Sequence, residues 1–401
     1  STEQVALIAS SSKELTGISI STAWERKVLD TPLASIIGSV SSEKAGIPAE
    51  EVDAYLKKGY SLKDRVGTSY LEKEYESVLQ GERAIKEIHL DKNGNMESID
   101  TISEGSKGKN LKLTVEMAFQ NGVDEILKNA FVAELTAGNA TYSEGAYAVV
   151  MNPETGAILA MAGVKHDLKS GNVSSNSLGT VTDIVVPGSV VKAATLTAGW
   201  ANNAISGNQT LTDQPIVFGQ DSSSITSWFT SYGNRDITAV EALEYSSNTY
   251  MVQVALKMMG TPYTPNMGVD LKNLDSSMEK LRETFAEYGL GAKTGVDLPT
   301  ESQGYTPKAN YLTNAFGQFD NYTPLQLAQY AATVANNGKR VAPHLVEGIY
   351  ANDKNGGLGD LIEKKETKVL NQVNISEENM KLIKEGFYQV VHGGSGFTTG
   401  R

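Results

Sequence analysis

Ser189 and Lys192 are the pair in this 401-residue chain whose types and spacing could make a nucleophile. They lie in the run Ile184-Val185-Val186-Pro187-Gly188-Ser189-Val190-Val191-Lys192, which passes directly into Ala193-Ala194-Thr195-Leu196-Thr197-Ala198-Gly199-Trp200. An apolar approach, a Pro-Gly break and then small, helix-compatible residues predict an extended segment entering a buried helix. Residues three apart on a helix have side-chain roots about 5–6 Å apart, so the amine can take the hydroxyl proton that keeps serine a poor nucleophile. The amine acts as a base only when neutral, and burial among Val190, Val191 and the Ala/Leu run disfavours its charged form. A helix start also aims free N–H groups at an oxyanion forming there. This is nucleophilic catalysis without histidine.

Setting, not the bare pattern, singles out this pair. Ser10/Lys13, Ser41/Lys44, Ser106/Lys109 and Ser277/Lys280 have the same spacing, but in polar, charge-rich surroundings where a lysine stays solvated and protonated. A Ser/Lys pair also needs a group that passes a proton to the leaving amine, and a hydroxyl plus an amide on a neighbouring loop would grip a peptide-like substrate. Ser246-Ser247-Asn248 offers both; Ser174-Ser175-Asn176, Ser170-Gly171-Asn172 and Ser206-Gly207-Asn208 match the pattern in loops where such residues make local turns.

The elements that must position these groups are legible in part. Residues 1 to about 108 mix short extended runs, Gln4–Ile8 and Gly17–Ser21, with compact helices. Ile47–Gly59 has proline near its start, acids early, lysines late and glycine after; Tyr70–Leu79 is a second helix closed by Gly81. Ala84–Leu90 before Asp91-Lys92-Asn93-Gly94-Asn95 predicts a hairpin arm and turn. The glycine-containing polar joint Ser103–Asn110 marks the domain boundary, followed by a strand over Leu111–Val115 and a helix to about Leu135. Tyr147–Met151, a turn at Asn152-Pro153-Glu154-Thr155-Gly156, and Ala157–Met161 predict an antiparallel hairpin whose apolar arms belong in the centre of a sheet covered on both faces by helices. Residues 165–180 read as polar loop and Asn202–Asp236 as irregular. Ile237–Met259 reads as helix interrupted at Ser246-Ser247-Asn248, and further helices run from Ser277 to Gly289 and from Thr323 to about Asn336. Nothing repeats.

Composition bounds the class. With 40% hydrophobic and 20% charged residues the chain is globular, long enough for two or three domains, and its net charge of −12 with no dense Lys/Arg run argues against nucleic acid as a partner. Absent cysteine excludes thiol catalysis and disulfides and suits work outside the reducing cytosol. The histidines, His89, His166, His344 and His392, are scattered without ligand spacing and read as surface or loop residues, so neither a metal nor a cofactor is implied. No stretch is apolar enough to span a bilayer, and no signal peptide is visible. Ser1 and the loop-like Gly393–Arg401 read as cuts through a longer protein.

The joint arrangement of a Ser-x-x-Lys opening a buried helix and a Ser-Ser-Asn in Leu243–Met251 resembles the penicillin-recognising serine transpeptidases. Asn152–Met161 is similar to that family's hairpin before the nucleophile, and Phe316-Gly317-Gln318 with Thr323–Ala328 to its later helical region. Gly67-Thr68-Ser69-Tyr70-Leu71-Glu72 with Tyr75 and Gly81 is similar to the N-terminal pedestal of its class B, monofunctional members. The resemblance implies an α/β (α+β type) fold, an antiparallel sheet flanked by helices, with a pedestal over 1–108 and a transpeptidase domain over 109–401 that lacks its C-terminal strands. It implies a peptidoglycan D,D-transpeptidase, covalently acylated by β-lactams, in which Ser189 attacks D-Ala-D-Ala, Lys192 takes its proton and Ser246 relays a proton to the leaving D-alanine. Asn248 and Thr249 bind the substrate. Implied partners are stem peptides, β-lactams, cell-wall synthesis proteins and the membrane, through an anchor absent from this chain, at the outer face of the cytoplasmic membrane. The family's third motif, Lys-Thr/Ser-Gly on a strand, is missing: Lys293-Thr294-Gly295 follows a helix stop and enters a proline-bearing loop, so it is a decoy and the true strand is expected beyond Arg401. Residues 1–401 alone would then leave a sheet edge open and not fold as an active enzyme. Rival readings are a β-lactam sensor or hydrolase, and a silent cell-wall scaffold.

Overall fold

The computed structural model describes Ile8, residues 10–11, 26–92, 96–219, 223–268 and 270–400. The extended run expected over Gly17–Ser21 and most of Gln4–Ile8 lie outside the described residues; Ile8 itself is helical rather than extended. The first well-signalled helix forms as a 3-10 turn, Ala49–Glu51, running into Val52–Lys57, with Tyr55 packed edge-on against Tyr60 beside Ile47 and Val66. The helix expected over Tyr70–Leu79 is instead two, Tyr70–Glu74 and Glu76–Leu79, broken at Tyr75. Tertiary bonds outcompete local propensity there: the Tyr75 hydroxyl donates to Asp297 at 2.9 Å, and the buried Glu76 carboxylate accepts from Gly67 N at 2.5 Å. Asp297 also accepts from the amides of Leu345 and Val346, at 2.7 and 3.0 Å, and so ties this early segment to residues far along the chain.

The expected arm becomes β1 (Ile85–Leu90), exposed and paired antiparallel with β2 (Met96–Ser103), Ile88 facing Ile99, while most of the turn expected over Asp91–Asn95 lies outside the described residues. Strand β3 (Asn110–Leu113) leads to helix α1 (Met117–Thr136). Next come β4 (Gly145–Met151) and β5 (Ile158–His166), the predicted hairpin, in register Val149 to Met161. Its turn is set by Asn152, whose side-chain oxygen accepts from the amides of Glu154 and Thr155, and by Gly156 at φ 83°, where a Cβ would overlap the Ala342 carbonyl. The arms are not equivalent. Strand β5 is central and almost wholly buried, pairing also with β6 (Val173–Ser175), whereas β4 is half-buried throughout and its outer edge is unpaired among the described residues. Past the short reach of β6, the otherwise unpaired edge of β5 at Met161 is satisfied by Gln120 of α1, whose side-chain amide bonds both the N–H and the carbonyl of Met161.

Residues 165–180, expected as loop, thus contain β6 and the start of a short helix, Gly179–Thr182, and the stretch expected as irregular holds β7 (Leu211–Asp213) paired with β8 (Arg235–Ile237). Such three-residue strands have no sequence period; pairing alone defines them. The helical core packs α2 (Lys192–Ala201) against α3 (Ala239–Glu244), α4 (Asn248–Met258) and α5 (Leu274–Glu287); α6 (Pro324–Ala335) lies across the sheet. Thr238/Glu241 and Thr323/Gln326 form reciprocal capping boxes that start α3 and α6 where the sequence places them. Beyond these, β9 (Lys339–Val341) pairs with β12 (Val369–Gln372), β10 (Val346–Asn352) bridges β3 and β11 (Leu358–Lys364), and α7 (Glu377–His392) covers α3. His166 and His344 are both buried; His344 lies between elements, but His166 belongs to strand β5 rather than to the surface or a loop, and is engaged by the Ser143 carbonyl. The fold is mixed α/β with antiparallel sheets. No helix of the described residues is long and apolar enough to cross a membrane.

Candidate active site

The extended approach to Ser189 is anchored by Val185, which exchanges both backbone hydrogen bonds with Tyr322. Pro187 then ends the extended run, and Gly188 to Val191 form one 3-10 turn that continues as α2. A 3-10 turn has three residues per turn, so side chains at i and i+3 eclipse. Ser189 and Lys192 therefore stack more directly than an α-helical start would allow. Gly188, at φ 61°, donates to the Gly317 carbonyl at 3.1 Å, and Gly317 approaches so closely that a Cβ there would overlap the Gly188 carbonyl. The Phe316-Gly317-Gln318 motif is thereby explained: it is the floor on which the turn carrying Ser189 rests. Gly317→Ala is expected to displace Ser189 and slow its acylation by about tenfold or more, a misplacement effect, read by the rate of labelling with a fluorescent penicillin.

Ser189 is exposed while Lys192, one turn on, is 2% exposed. The Lys192 Nζ lies 3.0 Å from Ser189 Oγ, 2.9 Å from Ser246 Oγ, 2.6 Å from Ser246 O and 2.8 Å from Asn248 Oδ1. Burial brings its pKa down to about 7, against the opposing pull of the Asp213 carboxylate. A neutral amine has two N–H donors and one lone pair. The Ser246 carbonyl and Asn248 Oδ1 can only accept, so they take the two N–H groups and leave the lone pair for a hydroxyl proton. Two hydroxyls, Ser189 and Ser246, are in place to supply or receive it.

The loop between α3 and α4 delivers the second group of residues. Ser246 sits at φ 53°, a left-handed conformation that serine seldom adopts, and this turns its side chain and carbonyl onto Lys192. Ser247 caps α4 by accepting from Tyr250 N at 3.0 Å. The Asn248 side chain gives one N–H to the Thr226 carbonyl at 3.2 Å and keeps a second free for a ligand. Thr249 is fully buried; its N–H donates to Ser227 and its own hydroxyl has no partner among the described residues. Thus Ser189, Lys192, Ser246 and Asn248 meet at one amine, and Thr249 lies behind them. Lys293-Thr294-Gly295 is loop, with the amides of Thr294 and Gly295 and the Thr294 hydroxyl all donating to Glu301. Sequence reading passed over Gly317, Asp213 and Ser227: each acts through a partner distant in the chain, and only the Phe-Gly-Gln motif hinted at the first. Among the described residues no cluster of His, Asp and Glu could hold a metal.

The family profile for the penicillin-binding protein transpeptidase domain matches residues 146–401. The chain belongs to the penicillin-binding proteins. A second profile, the penicillin-binding protein dimerisation domain, matches residues 1–113. Penicillin-binding protein 2B of Streptococcus pneumoniae is 67% identical over 403 residues, covering 99% of this chain and 59% of that protein. The solved structure of penicillin-binding protein 2B from Streptococcus pneumoniae strain 5204 superposes with a TM-score of 0.93 at 65% identity, covering 100% of this chain and 66% of that one. A penicillin-binding protein from Helicobacter pylori, solved in complex with MreC, shares the fold alone: TM-score 0.61, 22% identity, 92% of this chain and 64% of that one. The chain spans about three fifths of the length of its pneumococcal relative.

Proposed function

We propose that this penicillin-binding protein chain carries a serine-type D,D-transpeptidase site that cross-links peptidoglycan stem peptides and is acylated by β-lactams. The observation that carries this is the buried Lys192 amine within hydrogen-bond distance of both the Ser189 and the Ser246 hydroxyls. Ser189 Oγ attacks the carbonyl carbon of the penultimate D-alanine as its proton passes to Lys192 Nζ. The tetrahedral adduct collapses, the peptide bond breaks, and Ser246 relays a proton to the departing D-alanine nitrogen. An amine of a second stem peptide then attacks the ester, and the proton it loses returns to Ser189. The free N–H of Asn248 holds the substrate amide, and Thr249 supports that turn from behind. A β-lactam stops at the ester.

Residues 1–108 act as a non-catalytic pedestal, contacting cell-wall synthesis proteins, and the site works outside the cytoplasm at the membrane's outer face. Incubating the protein as the cell makes it with a fluorescent penicillin tests the proposal. A long-lived adduct mapped to Ser189, together with cross-linked dimers from a stem-peptide substrate, is the expected result. Rapid turnover makes it a hydrolase, an adduct without dimers a sensor, and unlabelled protein a silent scaffold. The acylation rate is expected to fall about tenfold per pH unit below pH about 7, where Lys192 becomes protonated, and to level off above it.

A further inference from the structure

Asp213, at the end of β7, is a 1% exposed carboxylate that the chemistry above does not use and that forms no ion pair among the described residues. Its register partner on β8, Arg235, does not neutralise it: that guanidinium lies over the Phe397 ring, 4.2 Å from its centroid. The carboxylate accepts instead from three hydroxyls, Ser247 at 2.5 Å, Ser227 at 2.7 Å and Thr230 at 3.4 Å. Two of these hold the catalytic loop. Ser247 stands between Ser246 and Asn248, and the Ser227 hydroxyl accepts from the amides of Asn248 and Thr249 at 3.1 and 3.3 Å. The positive φ of Ser246 is strained for a non-glycine residue and persists only where surrounding bonds impose it.

We propose that Asp213 is a positioning residue: it clamps the strained turn carrying Ser246 and Asn248 and places a negative charge behind Lys192. This rests on the transpeptidase reading of the site. The two effects oppose one another. Clamping brings the proton relay into range, while the charge favours the protonated amine and restrains the effect of burial. Other ionisable groups on elements packed against α2 are exposed or bonded elsewhere, apart from Lys257, which lies near the C-terminal end of α4, away from the Asn248 end that meets Lys192. On α3, Glu241 closes the capping box and Glu244 accepts from Ser395 and Thr398; on α4, the Tyr250 hydroxyl donates to the Gln209 carbonyl. On α5, Asp275, Glu279, Lys280 and Glu283 are exposed, Arg282 pairs with Asp320, and Glu287 accepts from Asn374 N; Tyr288, just after it, bonds Thr197.

Penicillin-acylation rates measured against pH, on the protein as the cell makes it, separate the two roles. Asp213→Asn keeps an acceptor oxygen and loses the charge; its acidic limb is expected to move to lower pH by about half to one unit. Asp213→Ala loses the clamp as well and is expected to slow acylation about tenfold or more at every pH. A residue with only a structural role would lower the melting temperature without moving the limb. An Asp213→Asn profile coincident with wild type overturns the proposal, and this near-isosteric variant decides the matter even if the alanine variant fails to fold. Wild-type protein that takes no label on Ser189 overturns instead the transpeptidase reading on which the proposal stands.

Discussion

Ser189→Ala is expected to abolish penicillin labelling and stem-peptide cross-linking, a loss of about 10³-fold or more, because no other group takes over as nucleophile. The other hydroxyl that bonds Lys192, on Ser246, is carried by a strained backbone turn. Ser189 is exposed and its hydroxyl supports no packing, so the folded state should be unaffected, with stability within about 0.5 kcal/mol of wild type. Activity measured by cross-linked dimers and stability measured by urea unfolding, on the same preparation, give the result. Residual acylation above a hundredth of wild type would place the nucleophile elsewhere.

Replacing Lys192 is expected to be nearly as severe for chemistry, and opposite in character for stability. Lys192→Met keeps an unbranched apolar stem of similar reach and removes the base; Lys192→Arg keeps a cation that does not deprotonate. Both should lose about 10³-fold in acylation rate, within the range general-base removal produces. The arginine result separates the need for a neutral amine from a need for positive charge. The stability signature follows from linkage. The folded-state pKa of Lys192 is lowered from 10.5 to about 7, so between those values the unfolded chain binds more protons and wild-type stability rises with pH. The full penalty is present below pH about 7 and gone above about 10.5. Its ceiling is on the order of 4–5 kcal/mol at 1.36 kcal/mol per unit. Unfolding of wild type and Lys192→Met compared across this window should show wild type gaining on the variant as pH rises. A pH-independent difference would mean that Lys192 is protonated in the folded protein.

Much of the site was legible because it is written in short, local patterns. Pro187-Gly188 followed by valines and alanines announced a buried helix start, and the interruption at Ser246-Ser247-Asn248 sits where α3 gives way to α4. Asn152 to Gly156 gave its hairpin by turn chemistry alone. Other elements were hidden for definite reasons. Tyr75 breaks a helix that its neighbours favour because its hydroxyl is claimed by Asp297, more than two hundred residues away. Strands β6, β7 and β8 are too short for a period and exist only through their partners.

Sequence alone therefore marked the Ser189/Lys192 pair, the buried helix that encloses the lysine and the loop that brings a hydroxyl and an amide to it. These depend on neighbours along the chain, and local sterics and burial act over one or two turns. Tertiary structure decided that the turn carrying Ser189 is 3-10 and braced by Gly317, that Ser246 is held in a left-handed conformation, and that the buried Asp213 carboxylate, without an ion-pair partner among the described residues, holds Ser247 beside it. Those features arise where segments distant in sequence meet, and hydrogen bonds and fields across such contacts leave no periodic trace in the order of residues.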